Sequence, residues 1–278
     1  VLETAHDMTR EHRLLTALTH TSVPVPRPLL LLEPDVIGAP CYLMDFVDGV
    51  VLRQRADLET FDPGSATALA DELISVLADL HAVRPADVGL ADLGRPDGYL
   101  ARQLARWERQ LNASCSRDLP ELTHLGRRLA GSLPVTSHVS LVHGDYRLDN
   151  VVVSPTGRIA AVLDWEMATQ GDPLADLAST AIWWDGMRGL ESPVAAVPGE
   201  VPGYPSSRHL IEQYGEQTGF DLAGLPWYLA FAFYKVAAIF EGIHYRTQQG
   251  WTVGDGFELI GALVPDLVAR GHAALTST

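Results

Sequence analysis

The segment from Leu141 to Asp176 constrains the fold most, because it interrupts a region whose apolar residues otherwise recur at helical spacing. Two apolar runs, Val151–Val153 and Ile159–Leu163, flank the turn sequence Ser154–Gly157. Short β-branched runs on either side of a turn that contains Pro and Gly predict a β-hairpin. A hairpin set among helices indicates an α+β fold.

The open end of this hairpin collects side chains that carry oxygen atoms. Asn150 enters the first strand and Asp164 leaves the second, so the two residues meet, and Asp145 comes shortly before the same end. Two carboxylates and a carboxamide without cysteine favour a hard cation such as Mg²⁺. Because these side chains are too few to enclose the ion, we expect nucleotide phosphate to complete its coordination.

Composition excludes several classes of protein. The formal net charge of −15 argues against a nucleic acid or an anionic membrane as partner. Lys235 is the only lysine, and since it follows Tyr234 the chain has no Gly-Lys-Ser/Thr phosphate loop. Cys41 and Cys115 form neither a disulfide framework nor a zinc pattern, which favours a cytoplasmic location. The longest apolar stretch, Leu225–Phe240, is interrupted and too short to span a bilayer.

The N-terminal region has the pattern of a small α/β unit. Residues 7–19 carry apolar side chains on one helical face and predict a helix. After an extended proline-rich segment, Leu29–Leu32 and Cys41–Val47 predict strands. Residues 37–40 predict a turn, and Asp48-Gly49 predicts a second turn or a hinge.

The rest of the chain is mainly helical by its apolar spacing. We predict helices at Ser65–His81, Gly98–Asn112, Pro120–Leu133, Leu174–Met187, Ser206–Thr218, Leu225–Gln249 and Gly256–Leu275. A Pro- and Gly-rich loop lies between Gly189 and Pro205, and a loop of this length is commonly functional or mobile. These patterns divide the chain into residues 1–48, the remainder of a small α/β lobe, and residues 49–278, a large helical lobe.

Glu11 lies on the apolar face of the first predicted helix. A carboxylate in that place is costly unless it reaches the rim or is paired with a cation. The sequence leaves both interpretations open: a carboxylate at the edge of the face, or a buried ion pair.

Three motifs in chain order resemble those of one enzyme family. Residues 143–150 (HGDYRLDN) are similar to the catalytic loop of aminoglycoside phosphotransferases, which share the protein-kinase fold. Residues 164–166 (DWE) resemble the segment that replaces the kinase Asp-Phe-Gly, and residues 171–178 (GDPLADLA) are similar to the motif that follows. The branch that includes the kinase domains fused to some acyl-CoA dehydrogenases shares further residues, at 6–13 and at 102–107.

The resemblance implies a two-lobed protein-kinase-like fold and a role for each matched catalytic residue. Asp145 would accept the proton of the acceptor hydroxyl or orient that hydroxyl. Asn150 and Asp164 would hold Mg²⁺ against the nucleotide phosphates.

The resemblance also implies how nucleotide would be held. Phe46 and Val47 would lie on the hinge and offer backbone hydrogen bonds to adenine. Glu11 would position a phosphate-binding cation from a preceding strand, which gives a reason for an acid on an apolar helix face. That strand and the phosphate loop would precede Val1, so we expect an incomplete small lobe.

Residues around the catalytic loop have structural interpretations as well. A tight His-Gly-Asp turn favours a His143 that ties the loop to the backbone over one that binds metal. Asp172 and Asp176 flank Pro173 at a helix start, where a cap and a favourable interaction with the helix dipole explain both acids.

The acceptor site is less specifically marked. Arg147 either contacts phosphate or substrate, or pairs with Asp149 or Asp172, and a lysine amid core residues needs an anion as partner. The predicted acceptor-site residues, each with ordinary packing or solvent pairing as the alternative, are Arg147, Trp165, Glu166, Trp184, Lys235 and Arg246.

These features predict a kinase that uses ATP, or GTP in its place, with Mg²⁺. It would transfer the γ-phosphoryl group directly to a hydroxyl of a small molecule, either hydroxyacyl-CoA-like or aminoglycoside-like. Nucleic acid and membrane are not expected as partners, and the oligomeric state is left open. The alternatives are a metal-dependent hydrolase that uses His143, Asp145 and Asp164, and a non-catalytic nucleotide-binding module.

Overall fold

The computed structural model describes residues 7–32, 36, 38–136, 138–190, 193–252 and 256–276. The chain starts with helix α1 (Met8–Leu18), which Asp7 caps by accepting a hydrogen bond from the N–H of Arg10 at 3.0 Å. Strands β1 (Pro28–Leu32) and β2 (Cys41–Met44) follow and pair antiparallel. The predicted helix and both strands are therefore confirmed, although β2 ends before Val47, and the first residue of the predicted 37–40 turn lies outside the described residues.

Helices build most of the remaining chain. They are α2 (Arg55–Leu58), α3 (Pro63–Ala82), α4 (Tyr99–Ala113), α5 (Pro120–Gly131), α6 (Pro173–Ala181), α7 (Ser207–Thr218), α8 (Leu225–Gln248) and α9 (Ile260–Ala274). The core centres on α8, which is apolar on nearly all sides and packs against α4, α5, α6 and α9. No helix among the described residues is both long enough and apolar enough to cross a bilayer.

Four short strands lie between α5 and α6. The predicted hairpin is present as β4 (Val151–Val153) and β5 (Ile159–Val162), which pair antiparallel. Strand β3 (Ser140–Val142) pairs with β6 (Thr169–Gly171). The sequence did not predict strand β6, in which Gln170 is buried with its side-chain amide donating to the carbonyl of Ala91 at 2.7 Å.

The predicted helix 174–187 is present, but its second half is not an α-helix. Helix α6 ends at Ala181, and a π-helical turn occupies Ile182–Gly186. Such a turn re-aims the side chains after it and is common at functional sites. It sets the directions of Trp183 and Trp184, which line a cavity beside the loop at residues 145–150.

Backbone hydrogen bonds join the N-terminal region to the central hairpin. Val50 and Val153 exchange both backbone hydrogen bonds at 2.8 Å. The N–H of Val162 donates to the carbonyl of Pro24, also at 2.8 Å. The guanidinium of Arg10 on α1 donates to the carbonyls of Glu166 and Ala168 after β5. The segment after β5 is therefore fixed against α1.

Candidate active site

The loop between β3 and β4 brings Asp145 and Asn150 into contact, as the hairpin geometry predicts. The Nδ2 of Asn150 donates to the backbone carbonyl of Asp145 at 2.9 Å and to its Oδ2 at 3.1 Å. The N–H of Leu163, just before Asp164, donates to the carbonyl of Asn150 at 2.8 Å. With Nδ2 engaged, the Oδ1 of Asn150 has no hydrogen-bond donor among the residues that the structure describes.

Asp164 follows β5 with its side chain exposed and a φ of 62°. This left-handed conformation is uncommon for a residue with a side chain and is stable only where the surroundings hold it. The charges of Asp164 and Glu166 both act on Glu11 of α1. The charges of three carboxylates therefore interact, and none of the three forms an ion pair among the described residues, although the charge of Arg10 acts on Glu11 and that of Arg106 acts on Glu166.

Glu11 itself is partly buried between α1 and β2. Burial raises the pKa of its carboxyl, hydrogen bonds from Tyr42 and from the N–H of Trp165 oppose the rise, and the neighbouring acids add to it. Its closest neighbours are thus donors and acids. The cation partner expected for Glu11 is not present among the described residues.

His143 uses both ring nitrogens inside the fold. Its Nδ1 accepts from the N–H of Asp145 at 3.2 Å, so its Nε2 carries the proton and donates to the carbonyl of Leu163 at 2.8 Å. The ring also packs on Trp165 at a centroid distance of 4.6 Å. The imidazole ties the loop to β5, as the sequence favoured, and it has no lone pair left for a metal.

Asp176 holds the same loop from the other side, a role that the sequence did not predict. Asp172 is the cap of α6 and accepts from the N–H of Leu174 at 3.1 Å. Asp176 instead accepts from the N–H groups of His143 at 2.6 Å and Gly144 at 2.8 Å. An acid one turn into a helix is a poor signal for this role, because only the packing of α6 against β3 brings it to the loop.

Arg147 lies beside Asp145 and is largely buried. Its Nη2 is 2.7 Å from Asp149 and its Nε is 3.6 Å from Asp145, while its guanidinium lies 4.3 Å from the centroid of the Trp183 ring. Arg147 therefore pairs with Asp149 and not with Asp172. Its Nε and Nη1 are buried without a hydrogen-bond acceptor among the described residues.

Three of the predicted acceptor-site residues differ in their surroundings. Trp165 is 1% exposed, and its indole N–H donates to the carbonyl of Val162, so it packs under the loop and offers no surface to a substrate. The indole N–H of Trp184 is bound to the carbonyl of Pro205 at 2.7 Å, although its ring lines the cavity beside Arg147. Arg246 is exposed near the end of α8, roughly 16 Å along the helix axis from Lys235.

Lys235 and Glu166 lie close to the catalytic loop. The Nζ of Lys235 donates to the carbonyl of Gly144 at 2.6 Å and lies 5.5 Å from the ring centroid of Trp107. A carbonyl and an aromatic ring thus contact this ammonium where an anion was expected. Glu166 is half-buried, and its charge acts on Glu11 and on Arg106.

The predicted hinge residues lie at the surface between β2 and Val50. Phe46 is 91% exposed and Val47 is half-buried. Within the described ranges, no hydrogen bond uses the backbone groups of either residue. Their donors and acceptors are therefore available to a ligand.

Comparison with known proteins agrees with this geometry. The model of the phosphotransferase enzyme family matches residues 2–225. The chain therefore belongs to that family. The family resemblance drawn from the three motifs is confirmed.

Two curated relatives are about equally similar. Acyl-CoA dehydrogenase family member 11 of Gallus gallus is 34% identical over 280 residues, which cover 98% of this chain and 36% of the relative. The Homo sapiens protein of the same name is 32% identical over 276 residues, with 98% and 35% covered. The chain spans about a third of the length of these relatives.

Solved structures show the fold. A putative aminoglycoside phosphotransferase from Ralstonia eutropha JMP134 is 33% identical, with a TM-score of 0.86 over 96% of this chain and 83% of that chain. Choline kinase LicA from Streptococcus pneumoniae is 17% identical with a TM-score of 0.58, over 99% of this chain and 83% of that chain, and supports the fold alone. The predicted α+β, protein-kinase-like fold is confirmed.

Proposed function

We propose that this chain transfers the γ-phosphoryl group of ATP, or of GTP in its place, to a hydroxyl of a small anionic molecule. Residues 1–48 then belong to the nucleotide-binding lobe, and residues 49–278 form the lobe that carries the catalytic loop and the acceptor site. The observation that carries the proposal is the contact between Asp145 and Asn150 at the open end of the hairpin, next to Asp164.

Asp145 is the group that serves the acceptor. Its carboxylate is partly exposed and fixed by Asn150, so it can orient the acceptor hydroxyl and take its proton. The hydroxyl oxygen forms a bond to the γ-phosphorus while the bond from that phosphorus to the β–γ bridging oxygen breaks, which leaves the nucleoside diphosphate. No covalent bond to the protein is needed in this direct transfer.

The residues at the hairpin end fit Mg²⁺. The Oδ1 of Asn150 and the carboxylate of Asp164 are hard oxygen donors, and the interacting charges of Glu11, Asp164 and Glu166, none of which forms an ion pair among the described residues, favour a cation there. When bound, Mg²⁺ would neutralise phosphate charge that develops during transfer. Glu11 would orient a phosphate-binding cation, and the backbone groups of Phe46 and Val47 would bind adenine.

The acceptor is proposed from the charge beside Asp145. Arg147 pairs with Asp149 but keeps two nitrogens, Nε and Nη1, without an acceptor, and an anionic group of the acceptor could supply one where a polycation could not. A hydroxyacyl-CoA is anionic, whereas an aminoglycoside is polycationic. The names of the curated relatives contain acyl-CoA, which supports the first class. We therefore favour a hydroxyacyl-CoA-like acceptor over an aminoglycoside-like one.

The test is a nucleotide-consumption screen of the purified protein with Mg²⁺ and either ATP or GTP. Hydroxyacyl-CoAs of several chain lengths are compared with several aminoglycosides. We expect phosphorylated hydroxyacyl-CoA, identified by mass spectrometry, and no product from aminoglycosides. Product from aminoglycosides alone would overturn the acceptor class.

Asp145→Asn tests the catalytic assignment in the same assay. We expect turnover to fall at least a thousandfold while nucleotide binding, measured by titration calorimetry, changes less than threefold. Asp92→Asn is the matched control, because that acid is exposed and pairs with Arg13 at the surface. An Asp145→Asn protein that keeps its turnover would refute the role of Asp145.

A further inference from the structure

The single lysine of the chain has no part in the proposed mechanism, yet it lies against the catalytic loop. Lys235 projects from the middle of α8 and is 8% exposed. An ammonium group buried to this extent is costly unless its hydrogen bonds are satisfied. Its position next to Gly144, and not at the surface, therefore needs a reason.

The bond to Gly144 fixes one particular peptide unit. The carbonyl of Gly144 and the N–H of Asp145 belong to the same peptide plane. Lys235 binds the carbonyl end at 2.6 Å, and His143 accepts from the N–H end at 3.2 Å. The Cα that follows this plane bears the carboxylate of Asp145, so the orientation of the plane sets where that carboxylate points.

The loop needs such support because its backbone is unusual at this point. Gly144 has a φ of 87°, and a Cβ at this residue would lie 2.8 Å from the Cβ of Met167. Glycine loses the most conformational freedom on folding, so the loop is held by groups outside it. Asp176 from α6 holds the N–H of Gly144, and Lys235 from α8 holds its carbonyl.

The surroundings of the ammonium favour this role over direct contact with a substrate. The space beside Nζ is about 20 Å³, which has room for one water molecule and not for a carboxylate or a phosphate. The ring of Trp107 covers another side. The charges that act favourably on Lys235 are those of Asp145 and Asp176, and the nearby Arg106 and Arg147 act against it.

We propose that Lys235 is a positioning residue for phosphoryl transfer, because its ammonium holds the Gly144–Asp145 peptide and thereby aims the carboxylate of Asp145. The proposal rests on the proposed role of Asp145. It assigns to α8 a direct function in the catalytic loop.

The first test measures the loop without any substrate. Amide hydrogen exchange is followed by mass spectrometry in the wild-type protein, in Lys235→Met and in Phe231→Leu, a packing control on the same helix that lines the same space. We expect residues 141–150 to exchange at least tenfold faster in Lys235→Met and unchanged in Phe231→Leu. Equal exchange of this segment in wild type and Lys235→Met would overturn the proposal.

The second test separates positioning from binding. With MgATP and water as acceptor, Lys235→Met should lower kcat at least tenfold and leave the KM for ATP within twofold, and Lys235→Arg should recover part of the kcat. A raised KM with unchanged kcat would contradict the positioning role. If Lys235→Met does not fold, Lys235→Gln serves instead, because its amide keeps one donor and lacks the charge, and the same criteria apply.

Failure of this proposal can be told apart from failure of the proposed function. If Asp145→Asn keeps turnover, the role of Asp145 is wrong, whatever Lys235 does. If Asp145→Asn is inactive while Lys235→Met shows wild-type exchange and kcat, only the role of Lys235 is wrong.

Discussion

Replacing Asp176 with Asn should destabilise the catalytic loop far more than the same change at Asp172, four residues earlier on the same helix. Both acids are buried, at 1% and 2% exposure. Their partners differ. Asp172 accepts from the N–H of Leu174 and from the hydroxyl of Tyr228. Asp176 accepts from the N–H groups of His143 and Gly144, and its Oδ2 also lies 3.4 Å from the Nε2 of His81.

The loss of stability depends on whether each hydrogen-bond partner can exchange its donor role for an acceptor role. In Asp172→Asn the amide oxygen still caps Leu174, and the Tyr228 hydroxyl can turn to accept from the new NH₂ group, so the cost is about 1 kcal/mol or less. In Asp176→Asn the oxygen can serve only one backbone N–H, and the new NH₂ group faces the other. A lost charge-assisted hydrogen bond and a buried donor without an acceptor together cost about 3–5 kcal/mol.

The assay is urea unfolding followed by tryptophan fluorescence, with both variants at pH 7. The free energy of unfolding should fall by about 3–5 kcal/mol for Asp176→Asn and by about 1 kcal/mol or less for Asp172→Asn. Kinase turnover should fall with the first change and stay near wild type with the second. Equal losses of stability at the two positions would refute the argument that backbone N–H groups, which can only donate, make Asp176 the costlier position.

The dependence of stability on pH at low pH gives an independent check on the role of Asp176. Burial alone would raise the pKa of its carboxyl, but the hydrogen bond and charge of His81, with those of His143, hold it below the ordinary value. A depressed pKa means that the stabilisation is present above the unfolded value of about 4 and is lost as the pH falls through the folded value. Asp176→Asn should therefore be less sensitive to acid than wild type between about pH 4 and pH 2.

Two further predictions concern Gly144 and Glu11. Gly144→Ala should lower the free energy of unfolding by about 2 kcal/mol more than Gly89→Ala in urea titrations. Both residues have positive φ, but only Gly144 would place a Cβ against Met167. Equal losses in the two variants would contradict this reasoning. Burial and neighbouring acids raise the pKa of Glu11, so its ionised form costs stability above about pH 4. Glu11→Gln should therefore melt at a higher temperature than wild type at pH 7 and at the same temperature at pH 3. A lower melting temperature at pH 7 would show that the carboxylate has a stabilising partner.

Periodicity and turn chemistry predicted most elements near the site. Asp7 and Asp62 cap helices where the sequence places an acid before an apolar run, and the Pro-Thr-Gly turn sets the hairpin. Strand β6 escaped prediction because Gln170 is polar yet buried, with its amide bound to carbonyls of another segment. A local pattern carries no information about such a distant acceptor.

In the candidate site, too, the sequence predicted some contacts and not others. The contact between Asp145 and Asn150 follows from sequence separation and hairpin geometry, so it was predictable. Trp165 packs under the loop and the indole N–H of Trp184 is bound to Pro205, and the sequence could not give these arrangements because the direction of a side chain depends on how its element packs. Arg246 shares a helix with Lys235, but helix geometry carries it away from the loop.

By itself, the sequence determined an α+β fold with a D-x-x-x-x-N loop and a nearby acid, since spacing and turn chemistry are local properties, and its three motifs showed the resemblance to the phosphotransferase family. The tertiary structure alone decided which distant groups hold that loop. Asp176 and Lys235 come from two different helices and meet at Gly144. The sequence does not show which side chain binds a given backbone N–H or C=O group. Only the packing of α6 and α8 around the loop brings the charged groups of Asp176 and Lys235 to Gly144.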